Sequence, residues 1–153
     1  MKKIPNPWLE TDGYYCFGCA PTNAYGLQME FFEEGEELVC YWEPKSHFQG
    51  WLNTLHGGIQ SVLMDEIAAW VVVKKRNTCG VTSSIETKFL KPVFTTKGQL
   101  TIKARLKEMK RNIAIIECEI YNHDNALCST GIITYFTYSQ EQSNALFNFV
   151  ANN

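Results

Sequence analysis

The segment TLHGGIQSVLMDEIAAWVVV, from Thr54 to Val73, decides the fold, because the rest of the chain must cover it. Two glycines open it, no proline interrupts it, and apolar residues fill most of the positions that follow. A helix that is apolar on nearly all sides is stable only when other parts of a protein cover it. We therefore predict one long central helix over roughly residues 58–75.

The sequence before this helix predicts a β-hairpin. In GLQMEFFEEGEELVCYWEP, apolar residues alternate with polar ones on both sides of an acidic turn over residues 33–37. Such alternation is typical of strands with one buried face. The buried positions are expected at Leu27, Met29, Phe31, Leu38, Cys40 and Trp42.

The sequence after Gly80 predicts four further strands. In VTSSIETKFLKPV, strict alternation would place Val81, Ile85 and Phe89 on one face and the polar residues 82, 84, 86 and 88 on the other. GQLTIKARLKE, RNIAIIECEIYN and ALCSTGIITYFTY continue the same period. Short connections between successive strands favour an antiparallel meander.

Together these elements predict an α+β fold in which a curved antiparallel β-sheet wraps around one long central helix. The sheet leaves one face of the helix to be covered, and a second subunit is the expected cover. We expect a single domain over residues 1–153, with an N-terminal loop region (1–25) and a C-terminal tail (139–153) that can form a short helix.

Charge and composition narrow the functional classes. A formal net charge of −2 offers no basic surface for nucleic acid or an anionic membrane. MKKIPNPWLE lacks the apolar core of a signal peptide, and the apolar run of residues 67–73 is too short to span a bilayer. We therefore expect a cytoplasmic protein, with its six cysteines reduced.

The start of the helix is the first candidate for chemistry. Gly57 and Gly58 lack side chains, so a ligand atom can approach the backbone closely there, beside His56. The first turn of a helix also presents unpaired N–H groups at its positive end. These features favour a site for a carbonyl or oxyanion, although a tight junction between loop and helix would use the same residues.

Two adjacent carboxylates in the middle of the helix are the second candidate. Asp65 and Glu66 are surrounded by apolar neighbours, so we expect at least one of them in a half-buried cleft. A carboxylate there can act as general base toward water or as nucleophile toward an acyl group. The structural alternatives are an ion pair with Lys88 or Lys91, or a hydrogen bond to another subunit.

The motif CFGC, Cys16 to Cys19, is typical of zinc or redox sites. A structural zinc site usually has four ligands, and neither a second cysteine pair nor a close histidine pair follows. A thioredoxin-like motif belongs in a βαβ unit, which is not predicted here. We therefore expect no metal, and we expect the other four cysteines to act as small apolar residues.

Three quoted segments resemble one known family when taken in order: CFGCAPTNAYGLQMEF, HFQGWLNTLHGGIQSVLMDE and GVTSSIETKFLKPV. Their loop, His-Gly-Gly turn, acid nine residues after the histidine, and following strand are similar to the hotdog-fold acyl-CoA thioesterases. Within that superfamily the chain resembles the phenylacetyl-CoA thioesterase branch. The resemblance covers roughly residues 15–138, and the spaced combination is more specific than any one segment.

The resemblance implies roles for individual residues. The Gly57 N–H would polarise the thioester carbonyl, and His56 would orient the thioester or the turn. Asp65 matches the nucleophile or general base, and Thr82 matches a hydroxyl residue that positions the attacking water. Residues in or beside the matched segments are expected to line the substrate site: Gly58, Glu66, Gln49 and Gly50.

The resemblance implies no metal or redox cofactor, since coenzyme A arrives as part of the substrate. Gly57 and Asp65 are about 12 Å apart along one helix, too far to reach one thioester, so we predict an obligate homodimer with each site built from both chains, or a dimer of such dimers. Two other functions remain open from the sequence. One is a hotdog-fold enoyl-CoA hydratase or dehydratase, and the other is an acyl-CoA-binding domain without catalysis.

Overall fold

The computed structural model describes all residues from Met1 to Asn153. It contains a long helix, α1 (Gly57–Arg76), and a short C-terminal helix, α2 (Gln140–Phe147). The strands are β1 (Lys2–Lys3), β2 (Phe32–Glu34), β3 (Glu37–Trp42), β4 (Gly80–Phe89), β5 (Leu100–Lys110), β6 (Ile113–Tyr121) and β7 (Leu127–Thr137). The predicted helix is confirmed and extends one residue further at each end.

All strands join one antiparallel sheet in the order β1-β2-β3-β5-β6-β7-β4. Helix α1 packs against five of them, β3 to β7. The predicted α+β hotdog architecture, a sheet wrapped around one helix, is confirmed. The predicted four-strand meander is wrong in one respect, because β4 lies beyond β7 at the edge of the sheet. The ten residues between β4 and β5 carry the chain back to the strand beside β3.

The core lies between the sheet and one side of α1. Leu63, Met64 and Ile67 of the helix are fully buried against sheet residues such as Ile116 and Ile133. Burying one such side chain stabilises a fold by about 1.5–3 kcal/mol. The other side of the helix is only partly covered, since Val62 and Ala69 remain partly accessible.

The predicted hairpin is present, but its first arm is short. All six predicted core positions are buried, yet the regular strand begins only at Phe32. Gln28 has a left-handed backbone (φ 52°), which interrupts the extended chain. The N–H groups of Leu27 and Met29 instead donate to the carbonyls of Phe17 and Gly18. The arm is therefore bound to the N-terminal loop before it reaches the sheet.

A β-bulge in β4 overturns the predicted faces of that strand. The register with β7 shifts between Thr82 and Ser84, which leaves Ser83 as the extra residue. Val81 pairs with the exposed Phe136, whereas Ile85 pairs with the buried Ile133. Opposite residues of paired strands point to the same face, so Val81 faces away from α1 while Ile85 and Phe89 face toward it.

The C-terminal tail is attached to the body of the protein. Helix α2 begins with a capping box between Ser139 and Gln142. Ser143 is fully buried and hydrogen-bonds to Thr78 and to the Cys79 N–H. No helix in the chain is both long enough and apolar enough to cross a membrane.

Candidate active site

The start of α1 presents unpaired backbone N–H groups. His56 is the N-cap residue, and its Nδ1 accepts a hydrogen bond from the Gly58 N–H at 2.9 Å. This bond fixes the imidazole with Nδ1 unprotonated. No acceptor of the chain pairs with the Gly57 N–H. The helix therefore begins with free donors at its positive end, among them the Gly57 N–H.

Four of the residues predicted for the site surround one cavity beside this donor. The cavity has a volume of about 520 Å³, and its lining includes Gln49, Gly50, His56 and Gly57. Gly50 lies directly beside the imidazole, since a Cβ there would be 3.2 Å from the ring of His56. Gly58 is the partner of the His56 side chain.

The carboxylate of Asp65 is held by two hydroxyl groups. Thr82 Oγ1 and Tyr135 Oη each donate to Asp65 Oδ1 at 2.8 Å, and Tyr135 Oη also lies 2.8 Å from the Asp65 carbonyl. Asp65 Oδ2 accepts no hydrogen bond from the chain. The carboxylate is half-buried, so one oxygen is fixed and the other is available to a ligand or water.

Tyr135 was not predicted from the sequence. It is 3% exposed, and burial, reinforced by the charge of Asp65, raises the pKa of its hydroxyl far above the usual value. The group therefore stays a neutral donor. The sequence contains one indication of this contact. Tyr135 occupies an expected buried position in the alternating pattern of GIITYFTY, and a buried hydroxyl needs a hydrogen-bond partner. The pattern could not tell which residue that partner is.

Asp65 and Gly57 do not meet within one chain. They lie on the same helix, eight residues apart, which corresponds to about 12 Å along its axis. An aspartate side chain reaches back toward the N-terminus by only a few ångströms. The chain by itself thus brings Asp65 to Thr82 and Tyr135, and Gly57 to the separate cavity beside His56.

Glu66 points to a different part of the molecule from Asp65. Its Oε1 accepts from Trp70 Nε1 at 3.3 Å and from the Cys16 thiol at 3.4 Å. Consecutive residues of a helix point about 100° apart, which separates the two acids. No lysine or arginine pairs with either carboxylate, so the ion pairs with Lys88 or Lys91 are not formed.

The two cysteines of the CFGC motif lie next to Glu66. Cys19 is 5% exposed and Cys16 is partly buried. A hydrogen bond from Cys19 lowers the pKa of the Cys16 thiol, and the same interaction together with burial raises that of Cys19. Cys40, Cys118 and Cys128 are fully buried within or beside strands, as expected of small apolar residues.

Comparison with known proteins identifies the family. Residues 52–129 match the model of the thioesterase superfamily, and this range includes the His-Gly-Gly turn, Asp65 and Thr82. The resemblance inferred from the sequence segments is thereby confirmed. A search of curated proteins gave no significant sequence match.

Several solved structures share the fold at low identity. A thioesterase of Haemophilus influenzae is similar over 74% of this chain and 80% of its own, with 21% identity and a TM-score of 0.67. A hypothetical thioesterase of Streptococcus pneumoniae, solved with coenzyme A, is similar over 73% and 87%, with 22% identity and a TM-score of 0.67. The PaaI protein from the Escherichia coli phenylacetic acid degradation operon is similar over 74% and 82%, with 18% identity and a TM-score of 0.66.

Proposed function

Because the chain belongs to the thioesterase superfamily, we propose that it hydrolyses an acyl-CoA thioester to the free acid and coenzyme A. The observation that carries this proposal is the Asp65 carboxylate, with Oδ1 fixed by two hydroxyl groups and Oδ2 free. A half-buried acid held in one orientation is suited to react through its free oxygen. Two of the similar structures contain coenzyme A or acetyl-CoA, which supports an acyl-CoA substrate here.

Asp65 Oδ2 can act in two ways. As general base it takes a proton from water, and the hydroxide attacks the thioester carbon. As nucleophile it attacks that carbon itself, and water then hydrolyses the resulting anhydride. In both routes the C–S bond breaks, the thiolate of coenzyme A leaves with the electron pair, and that thiolate takes up a proton.

The Gly57 N–H is proposed to polarise the carbonyl. A donor at the start of a helix stabilises the negative charge that develops on the carbonyl oxygen in the transition state. His56 contributes by capping the Gly58 N–H, which fixes the turn and leaves the Gly57 N–H unpaired. Gln49, Gly50 and Gly58 are proposed to line the path of the substrate beside this donor.

Thr82 is proposed to act on water through the carboxylate. The Thr82 hydroxyl donates its proton to Asp65 Oδ1. Together with the Tyr135 hydroxyl, it fixes the orientation of the Asp65 carboxylate. The Thr82 oxygen retains a lone pair that can accept from a water placed next to Oδ2.

Glu66 was expected to contact the substrate. Its carboxylate contacts Cys16 and Trp70, on the side of α1 that faces the N-terminal loop.

We further propose that two chains form each site. Asp65 and Gly57 must both lie within about 3 Å of the reacting thioester, whereas about 12 Å of helix separates them in one chain. Two antiparallel helices related by a two-fold axis would place Gly57 of one chain beside Asp65 of the other. This arrangement gives a homodimer with two equal sites.

The surface around β4 supports this dimer. β4 is an edge strand of ten residues, and long uncovered edges are rare because they pair with other chains. Ile85, Phe89 and Leu90 on or beside this strand are 44–56% exposed. Trp51 and Leu52, next to the cavity at the start of α1, are more than 80% exposed. A second copy would bury these apolar side chains.

The test of the activity is a panel of short, long and aromatic acyl-CoAs, each assayed for free thiol. We expect thiol release with at least one class and its loss in Asp65→Asn. A single turnover in ¹⁸O-labelled water tests the nucleophilic route. A first acid without ¹⁸O, with the label retained in Asp65, identifies an anhydride that water opens at the aspartyl carbon. Attack of water on the acyl carbon, either directly with Asp65 as general base or on the anhydride, puts ¹⁸O into the first acid. Absence of thiol release from every class would contradict the proposed activity.

A further inference from the structure

The CFGC motif and the central helix together form a cluster that the proposed hydrolysis does not use. The Sγ atoms of Cys16 and Cys19 and a carboxylate oxygen of Glu66 all lie within 4.8 Å of one another. The cluster combines a loop near the N-terminus with a helix residue about fifty positions later. Ligand spacing in the sequence does not reveal Glu66 as a third ligand, because Glu66 lies far from the two cysteines along the chain.

We propose that Cys16, Cys19 and Glu66 bind one zinc ion. Zn²⁺ binds thiolates at about 2.3 Å and carboxylates at about 2.0–2.2 Å in tetrahedral geometry, so a sulfur and an oxygen on one ion lie about 3.6 Å apart. The observed distance from Cys16 Sγ to Glu66 Oε1 is 3.4 Å. Two thiolates with one carboxylate favour zinc over magnesium or calcium, which prefer oxygen ligands.

The groups around the cluster are hydrogen-bond donors. Asn6 Nδ2 donates to Tyr14 Oη at 2.9 Å, and the Tyr14 hydroxyl, whose own proton is free to donate, lies 2.9 Å from Cys19 Sγ. Trp70 Nε1 donates to Glu66 Oε1 at 3.3 Å. Donors in the second layer of contacts orient and stabilise negatively charged metal ligands. The same environment would stabilise two thiolates and a carboxylate around a cation.

The packing of the loop also fits a fixed role for Glu66. Gly18 lies between the two cysteines, and a Cβ at this position would overlap the Glu66 carboxyl group. The half-buried carboxylate has no lysine, arginine or histidine partner. Charges in such surroundings are normally paired or coordinate a metal. A zinc ion would supply the missing positive charge.

Three protein ligands leave one position of a tetrahedral zinc open. The cluster forms part of the wall of a cavity of about 560 Å³, which also includes Trp8, Tyr14 and Phe147. Water can occupy the fourth position from this side. Binding would release the thiol protons of Cys16 and Cys19 to solvent. The ion would then join the N-terminal loop to α1.

The test measures metal directly. Reduced protein purified without chelators should hold about one zinc ion per chain by plasma mass spectrometry. Its cobalt derivative should show thiolate-to-cobalt charge transfer and the d–d bands of tetrahedral coordination. Zinc should also raise the melting temperature relative to chelator-treated protein, because it binds the folded state.

Single substitutions assign the ligands. Cys16→Ser, Cys19→Ser and Glu66→Gln should each weaken zinc binding by more than about 100-fold, and Tyr14→Phe by about 10-fold, since partners of ligands contribute less than ligands. Cys79→Ser is the matched control, because Cys79 lies beside Ser143 and away from the cluster. It should leave zinc binding unchanged.

Three results would overturn the proposal. The first is a reduced wild-type chain that binds neither zinc nor cobalt. The second is zinc binding that neither Glu66→Gln nor Tyr14→Phe weakens. Both variants keep the size of the side chain, so they test the proposal even if the cysteine variants do not fold. The third is a Cys16–Cys19 disulfide in protein isolated from a reducing cytosol. None of these readouts uses thioester hydrolysis, so the proposed activity stands or falls separately.

Discussion

The Thr82 hydroxyl donates to Asp65 Oδ1 at 2.8 Å from a strand position that regular alternation would have turned away from the helix. Counted back from Ile85, which faces α1, an uninterrupted strand would point residue 82 outward. The bulge at Ser83 reverses the alternation and brings Thr82 onto the same face. A single irregular residue therefore completes the environment of the candidate catalytic acid.

Asp65→Asn should abolish most of the activity. The amide is nearly isosteric, yet it cannot accept a proton or attack a carbonyl, and acid–base catalysis contributes about 100- to 10,000-fold. Thiol release at saturating acyl-CoA measures the loss. Asp124→Asn, the same change at an exposed loop residue paired with His123, should retain wild-type rates. Glu66→Gln should reduce the rate much less than Asp65→Asn. Equal losses at positions 65 and 66 would refute the assignment of Asp65.

Thr82→Val should lower kcat about ten-fold, which corresponds to about 1.4 kcal/mol of barrier. The reason is loss of one of the two donors that hold Asp65 Oδ1. KM should change little, because the hydroxyl is not proposed to contact coenzyme A. Thr82→Ser should restore most of the rate, and Thr134→Val, on the outer face of β7, should have no effect. An unchanged kcat in Thr82→Val would reduce Thr82 to a structural residue.

Tyr135→Phe should also lower kcat by about ten-fold, since Asp65 loses its buried donor. It should also lower the free energy of unfolding by about 1 kcal/mol, because one hydrogen bond is lost. Steady-state kinetics and urea unfolding measure the two effects. Tyr121→Phe removes a hydroxyl that bonds only to Glu119 on the outer face and is the matched control. The role of Tyr135 in positioning Asp65 is wrong if the stability falls while kcat does not.

His56→Ala should destabilise the protein by about 1 kcal/mol through loss of the N-cap bond to Gly58. His56→Asn should recover most of that loss, because asparagine is a favoured N-cap residue. Thermal unfolding gives the stability, and thiol release gives the rate. If His56 acts by fixing the turn, activity should fall when the N-cap hydrogen bond is lost in the alanine variant and recover with it in the asparagine variant. Recovery of stability without activity would instead indicate direct contact of the imidazole with substrate.

Mixing two inactive variants should restore activity if each site uses two chains. Gly57→Pro removes the free N–H at the first helical position, where proline fits the backbone. Random exchange with Asp65→Asn makes about half of the dimers mixed, each with one intact site, so about a quarter of wild-type activity should return. Gly57→Ala keeps the N–H and should lose less activity than Gly57→Pro. A mixture that stays inactive while mixed dimers form would disprove the shared site.

Local patterns in the sequence determined the elements of this fold. The glycine pair followed by apolar residues predicted the helix to within one residue at each end, because helix formation depends on neighbouring positions. Alternation identified the strands and the buried positions of the hairpin. The order of three short segments identified the family and singled out Asp65, Gly57 and Thr82 as candidates.

Only the tertiary structure decided which side chains meet. Tyr135 reaches Asp65 across 70 positions of the chain, and Cys16 reaches Glu66 across 50. The placement of β4 at the sheet edge, and the reversal of its faces at Ser83, follow from pairing with β7. Such contacts depend on strand order and register, which come from packing the whole core. A local pattern specifies the period of an element and leaves open which distant residue it will face.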